Sequence, residues 1–251
     1  MNMVARTELA ATEYTILDQE RMGAAQRYFM WQARMAKKEL GDRILEVGCG
    51  IGNFTSHLLD RELVVATDVE LDCVVKLVDR LDAPPNITAR QIDVLDPDFC
   101  KLSHYCLDSA VCLNVLEHVS DDYQALHNIA AVLPEGGRLA LMVPAFEELY
   151  GPIDIKLGHY RRYSRRSLNA VAEAAGFRAA NLRYMNLPGF FGWWLNARVL
   201  RRAEQSEAQI AAFDRLIPLI SWFERLVPPP FGQSLFATFV KCSSSQALRR
   251  S

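Results

Sequence analysis

The stretch that decides the fold is Ile44-Leu45-Glu46-Val47-Gly48-Cys49-Gly50-Ile51-Gly52-Asn53. A short apolar run ends here in three alternating glycines, a pattern typical of a buried strand followed by a sharp turn. Because glycine has no Cβ, the backbone can bend tightly and a ligand can approach the main chain closely. A glycine run alone would equally fit a tight strand-to-helix turn that binds nothing.

The spacing of these glycines and a later carboxylate narrow the kind of ligand. A dinucleotide motif beginning at Gly48 needs its third glycine at position 53, where this chain has Asn53. The sequence therefore disfavours an NAD-dependent oxidoreductase, which is the rival enzyme class. Asp68 ends the next apolar run, where a carboxylate can accept hydrogen bonds from both hydroxyls of a ribose. The plainer alternative for Asp68 is an N-cap of the following helix.

The hydrophobic pattern on either side predicts alternating strands and helices. This alternation favours an α/β fold with a parallel sheet, right-handed crossovers and a ligand crevice beyond the carboxyl ends of the strands. A long loop is expected over residues 145–163. Strands are predicted over residues 43–47, 63–67, 87–92, 108–113, 137–143, 177–184 and 234–241, and helices over 19–40, 53–60, 68–81, 121–132 and 166–175.

Five motifs in order give residues 25–185 a resemblance to the class I methyltransferases that use S-adenosylmethionine (SAM). They are the glycine loop, Asp68, Ile92-Asp93-Val94, the segment Cys112-Leu113-Asn114-Val115-Leu116-Glu117-His118-Val119, and Leu133-Pro134-Glu135-Gly136-Gly137-Arg138-Leu139. The resemblance implies a Rossmann-like fold with a seven-stranded, mostly parallel sheet, an N-terminal lid helix and a C-terminal helical cap insertion. It also implies SAM as cofactor, S-adenosylhomocysteine (SAH) as product, and no metal.

The same resemblance assigns roles to individual residues. Glu46 and the loop Gly48–Gly52 would cradle the methionine part of SAM, Asp68 the ribose, and Asp93 the adenine amino group. Asp93 could instead be an ordinary turn residue, and Asn114 and His118 could begin a helix without touching a ligand. The implied cofactor-binding set is Glu46, Gly48, Cys49, Gly50, Gly52, Asn53, Asp68, Val69, Asp93, Val94, Asn114, Val115 and His118.

The most distinctive polar segment is Asp154-Ile155-Lys156-Leu157-Gly158-His159-Tyr160-Arg161-Arg162-Tyr163-Ser164. Guanidinium groups offer forked donors to a carboxylate and tyrosine adds a hydroxyl, so this segment could bind an anionic acceptor. The alternative is a solvated basic loop. Arg161 and Arg162 are expected to face different ways, so that one of them forms a structural salt bridge.

The pattern Gly-His-x-Arg-Arg-Tyr within this segment resembles a bacterial methyltransferase subgroup that acts on small molecules. A carboxylate acceptor needs no base, whereas a hydroxyl acceptor needs one, for which His159 is the first catalytic candidate and His118 the second. We expect O-methylation of a small carboxylate or hydroxyl. The alternatives are N- or C-methylation of a small or lipophilic acceptor and a non-catalytic SAM-binding protein. The predicted substrate-binding residues are Tyr28, Trp31, His159, Arg161, Arg162, Tyr163 and Asn186.

Composition excludes some partners. The 251 residues include 28 basic and 30 acidic side chains, for a net charge of −2, so nothing favours a nucleic acid as partner. Six cysteines without a C-x-x-C pair argue against a structural zinc site and for a reducing compartment. The N-terminal residues lack the apolar core of a secretory signal and no long uncharged apolar run occurs, so a cytoplasmic protein is expected.

The same patterns divide the chain into four parts. They are an N-terminal lid segment (1–40), a SAM-binding methyltransferase core (41–188), an aromatic and basic cap insertion (189–232), and a final strand and tail (233–251). The insertion is interpreted as a cap over the active site or a homodimer surface. An interfacial helix that contacts a membrane is the less favoured alternative.

Overall fold

The computed structural model describes residues 16–200 and 206–243, and its centre is a seven-stranded sheet in the order β3-β2-β1-β4-β5-β7-β6. β7 runs antiparallel to both of its neighbours, and every other pairing is parallel. The predicted Rossmann-like fold is confirmed. The strands are β1 (Arg43–Val47), β2 (Leu63–Asp68), β3 (Ile87–Gln91), β4 (Ser109–Leu113), β5 (Arg138–Pro144), β6 (Phe177–Met185) and β7 (Ser234–Lys241).

Helices cover both faces of the sheet, and two separate apolar cores form there. Leu45 and Val47 of β1 belong to one core and Ile44 to the other, as alternation along a strand requires. The helices are α1 (residues 16–22), α2 (Gln26–Ala36), α3 (Leu71–Leu81), α4 (Asp122–Val132), α5 (Pro152–Leu157), α6 (Arg165–Ala174), α7 (Leu187–Trp194) and α8 (Glu207–Leu226).

The strand order places a crevice at the end of β1. From β1 the chain builds the sheet outward through β2 to β3, then returns to add β4 and β5 on the other side of β1. The strand order therefore reverses between β1 and β4, and ligands of such sheets bind beyond the carboxyl ends of the strands at this point. The glycine loop follows β1 there.

Three predicted elements differ from the structure. The helix predicted over 19–40 is interrupted, because the Gly23 amide closes α1 on Gln19 and Ala25 leaves the helical region with φ −85 and ψ 54. The helix predicted over 53–60 is reduced to a single 3-10 turn, Thr55–His57. The loop predicted over 145–163 contains α5, which Pro152 begins and Gly158, with φ +75, ends.

The described part of the insertion between β6 and β7 is helical, and its α8 packs on α2. α7 continues into a π-helical turn at Leu195–Val199, and α8 is the last helix before β7. Glu224 of α8 accepts the Asn186 and Leu187 amides at 3.0 and 2.8 Å, which joins the two helices. Asp214 of α8 accepts the Tyr28 amide of α2 at 2.9 Å. Across the described residues, no helix has both the length and the apolar character that spanning a membrane demands.

Candidate active site

The glycine loop is held between three strands. The amides of Gly48 and Cys49 both donate to the Thr67 carbonyl, at 2.8 and 2.9 Å, which bends the chain back over β2. Gly48 has φ +72, and a Cβ there would lie 2.2 Å from a methyl carbon of Val115, which follows β4. Glycine at this position thus satisfies both the left-handed backbone and the close approach of a neighbouring segment.

Asp68 lies at the carboxyl end of β2 and faces this loop. One carboxylate oxygen accepts the Gly50 amide at 2.8 Å, and the other accepts the Glu70 amide at 3.0 Å. Burial raises the pKa of Asp68, and the two amides offset part of that effect. The carboxylate therefore holds the glycine loop in place. It also lies where the sequence predicts a contact with the ribose of the cofactor.

Glu46 is buried on β1 without a full set of partners. Its side chain is 3% exposed, and its Oε2 has no hydrogen-bond partner among the described residues. Burial raises its pKa to about 8, with the nearby Thr55 hydroxyl opposing the shift and the Asp68 charge adding to it. An orphaned carboxylate oxygen beside a side-chain-free bend suits a ligand that carries an ammonium group.

α1 lies across the glycine loop in the position expected of a lid. The Gln19 side-chain oxygen accepts the Ile51 amide at 2.9 Å, and the Asn53 side chain donates to the Gln19 carbonyl at 2.8 Å. A Cβ on Gly50 would lie 2.1 Å from that Gln19 oxygen. A cavity of about 290 Å³ remains between α1, the loop and Arg80 of α3.

The rest of the predicted cofactor set follows the carboxyl ends of β2, β3 and β4, so it shares one edge of the sheet. Val69 is 55% exposed, whereas Val94 is buried. Asp93 is exposed and accepts the Leu95 amide at 2.9 Å, and its contact with the adenine amino group stays a prediction. Asn114 takes φ +54 after β4, and its backbone N–H donates a hydrogen bond to the Met142 carbonyl. Burial raises the pKa of the Cys49 thiol.

A second polar group stands beside this edge, where α5 meets the segment after β4. The rings of His118 and His159 lie 4.6 Å apart and nearly perpendicular, at 88°. His118 remains accessible to solvent, but the surrounding protein atoms desolvate its ring and lower its pKa to about 4. The neighbouring His159 lowers it further. Glu117 is 1% exposed, and burial raises its pKa to about 8. Both histidines were named as candidates from the sequence, but Glu117 was missed. The available signal was that Glu117 directly precedes His118 in the chain.

The two arginines of the polar segment face different ways, as expected, and both form ion pairs. Arg162 is 5% exposed, donates to Asp154 at 2.8 Å and lies over the Trp193 ring at 4.7 Å. Arg161 pairs with Asp122 at 2.9 Å, and the Tyr163 hydroxyl donates to the same carboxylate at 2.8 Å. Both guanidinium groups bind protein groups in this structure, and the anion-binding interpretation stays a prediction.

Three other predicted substrate residues have packing or capping contacts. Tyr28 contacts Trp31 and Phe213 edge to face, with ring centroids 6.3 and 6.4 Å apart, and its burial raises its pKa. Trp31 belongs to the core beneath α2. Asn186 is 1% exposed and caps α7 by accepting the Gly189 amide at 3.0 Å. A substrate contact for these residues stays a prediction.

Comparison with known proteins agrees with this geometry. A family described as "Methyltransferase domain" matches residues 20–182. A ubiquinone biosynthesis O-methyltransferase of Coxiella burnetii is 28% identical over 104 residues, which cover 39% of this chain and 42% of that protein. The chain thus matches less than half the length of this curated relative.

Solved structures share the fold at low identity. A putative methyltransferase of Haloferax volcanii, solved with the Trm112 methyltransferase activator, has a TM-score of 0.63 at 17% identity, covering 92% of this chain and 98% of that one. The N-methyltransferase NodS of Bradyrhizobium japonicum, solved with SAH, has a TM-score of 0.54 at 14% identity, covering 87% and 86%.

The matched region spans the glycine loop, Asp68 and the segment after β4, which is the edge of the sheet described above. The chain belongs to the methyltransferase-domain family, for which SAM is the expected cofactor. The residues present fit the cofactor, because the orphaned oxygen of Glu46 can receive the ammonium of its methionine part and the bend at Gly48 admits no side chain.

Proposed function

We propose that this enzyme methylates an oxygen atom of a small-molecule acceptor, a hydroxyl or a carboxylate, and that it belongs to the subgroup with the Gly-His-x-Arg-Arg-Tyr loop. The observation that supports this most is the pair His118 and His159, whose rings are 4.6 Å apart. They lie next to the edge of the sheet that carries Glu46, the glycine loop and Asp68, which is called the cofactor edge below. The Coxiella burnetii relative is itself named an O-methyltransferase, which agrees with the proposal.

The residues around the pair prepare one ring nitrogen for an acceptor. His159 Nδ1 lies 2.8 Å from Asp154 Oδ1, and Asp154 is in turn held by Arg162 and by the Gly151 amide. A carboxylate on Nδ1 stabilises the tautomer that carries its proton there, so Nε2 presents a lone pair. That lone pair can accept the proton of an acceptor hydroxyl.

The residues of the cofactor edge and α1 would hold and orient SAM. When bound, SAM supplies a methyl group on a positively charged sulfur that an oxygen nucleophile can displace directly. Glu46 and the glycine loop would hold the methionine part, and Asp68 the ribose. Because such a displacement needs little covalent help, positioning and exclusion of water by α1 can supply most of the acceleration.

The test is methyl transfer from labelled SAM to aromatic acceptors that share one ring and differ in one group: a phenol, a catechol, a benzoic acid and an aniline. SAH and an O-methylated product are expected. His159→Asn should lower the rate with the hydroxyl acceptors by roughly 100-fold or more, because a general base contributes about that much. The exposed His127, changed to Asn, is the matched control.

Each other outcome has a definite meaning. A product methylated on nitrogen or carbon alone would overturn O-methylation. Formation of no SAH with any acceptor would favour the non-catalytic alternative. A rate that falls equally in His159→Asn and His127→Asn would remove His159 from the reaction.

A further inference from the structure

Three ligand-type side chains converge beside the cofactor edge. One nitrogen or oxygen atom from each of Glu117, His118 and His159 lies within 4.8 Å of the other two. Glu117 and His118 come from the segment after β4, and His159 follows α5. The two segments are tied together, because the Tyr160 amide donates to the Glu117 carbonyl at 2.8 Å. The backbone therefore holds the two segments together, and the convergence does not depend on flexible surface side chains.

The carboxylate of this group lacks a partner. Glu117 is 1% exposed, and within the described part of the chain its Oε2 accepts no hydrogen bond. A buried carboxylate oxygen is costly unless a cation or a donor faces it. Arg162, the nearby buried cation, directs its donors at Asp154 and the Ala145 carbonyl instead. A positive ligand next to Glu117 would supply what is missing.

Both imidazoles are oriented by groups behind them. His159 Nδ1 is held by Asp154 at 2.8 Å, which leaves Nε2 as the nitrogen that can bind a ligand. His118 is hydrogen-bonded to the backbone of Leu157. A carboxylate or carbonyl behind each imidazole is the arrangement that metal-binding histidines characteristically have, because it fixes the ring and its tautomer.

We propose that Glu117, His118 and His159 bind one divalent transition-metal ion. Two imidazoles and one carboxylate suit Zn²⁺, Fe²⁺ or a similar ion, whereas Mg²⁺ and Ca²⁺ prefer oxygen ligands throughout. Three protein ligands leave at least one position open. This differs from the expectation of a metal-free enzyme that the family resemblance implies.

The open position gives the ion a role that rests on the proposed function and replaces His159 as the base, because the Nε2 lone pair of His159 is then shared with the metal. An acceptor hydroxyl that occupies it would lose its proton more readily, because the cation stabilises the alkoxide or phenolate. The proton passes to water. The oxygen lone pair then forms the bond to the methyl carbon while the carbon–sulfur bond breaks, and its electrons neutralise the sulfonium to give SAH.

Metal binding can be measured without SAM or acceptor. The full chain, stripped with a chelator, is titrated with Zn²⁺ by calorimetry and with Co²⁺ by visible absorption. One ion per chain is expected to bind with micromolar or tighter affinity. Glu117→Gln and His118→Asn should each weaken binding at least tenfold, and both should remove the Co²⁺ absorption band.

His127→Asn is the matched control, since it removes an exposed imidazole on α4 and should leave the titration unchanged. Thermal unfolding of every variant in chelator verifies that each is folded. No binding by the wild-type chain, or equal binding by wild type and both cluster variants, would overturn the site. These readouts involve no methyl transfer. Failure of the metal site would therefore leave the proposal of O-methylation to be judged by its own assay.

Discussion

Glu46 shows how a single residue links ligand binding to stability. Its carboxyl group has an ordinary pKa of 4.5 when exposed and a pKa of about 8 in the folded chain. The folded chain therefore keeps a proton that the unfolded chain releases as the pH rises through 4.5. The resulting loss of stability is absent below that pH, grows up to about pH 8, and costs about 1.4 kcal/mol per pKa unit.

Glu46→Gln should remove this pH dependence, because an amide has no proton to keep. We expect the melting temperature of the variant, relative to wild type, to rise steadily between pH 5 and pH 8 in ligand-free protein. Glu62→Gln, which alters an exposed carboxylate paired with Arg43, should show a flat difference over the same range. A flat difference for Glu46→Gln as well would show that its pKa is not raised.

At this scale the sequence predicted that Glu46, Gly48 and Asp68 lie together at one edge of the sheet, and their roles in cofactor binding stay predictions. Glu46 and Asp68 lie near the ends of β1 and β2, and Gly48 follows β1, so their places depend on short-range order that a motif records. Glu117 was missed because its significance depends on burial and on His159, which lies 42 positions further along the chain and is brought close by the fold.

Among the elements, the segment around α5 differs most from its prediction. The sequence indicated a loop, but Pro152, the Asp154 carboxylate on the Gly151 amide, and Gly158 give it a helical start and stop. The predicted break-free helix over 19–40 failed for a tertiary reason. Gln19 binds the glycine loop, so α1 must turn away from α2 at Gly23.

The two adjacent arginines after α5 give a matched prediction. Arg162→Ala would leave Asp154, which is fully buried, without its cation, and should cost about 3–5 kcal/mol of the free energy of unfolding. Arg161→Ala breaks a more exposed pair with Asp122 and should cost about 1 kcal/mol or less. Urea unfolding of both variants measures the difference. Equal losses would contradict the distinct supporting role given to Arg162.

For the whole molecule, the α/β class and the mostly parallel sheet were predictable, because alternating apolar runs and the glycine loop constrain such a fold strongly. The packing of the 189–232 insertion was not predictable, since its contacts with α2 through Asp214 and with α7 through Glu224 are tertiary. Its apolar face includes Leu219, Phe223 and Val227, which are 62%, 61% and 63% exposed. Its use as a homodimer surface stays a prediction.

Cofactor binding between the glycine loop and Asp68 underlies every role assigned to this protein, and calorimetric titration with SAH tests it most directly. Wild-type protein should bind one SAH per chain. Asp68→Ala should bind at least tenfold more weakly, because a charge-assisted contact worth about 1.5–3 kcal/mol is lost. Asp72→Ala, which alters an exposed carboxylate in the first turn of α3, should match wild type. No heat of binding with wild type, or unchanged affinity in Asp68→Ala, would contradict the account.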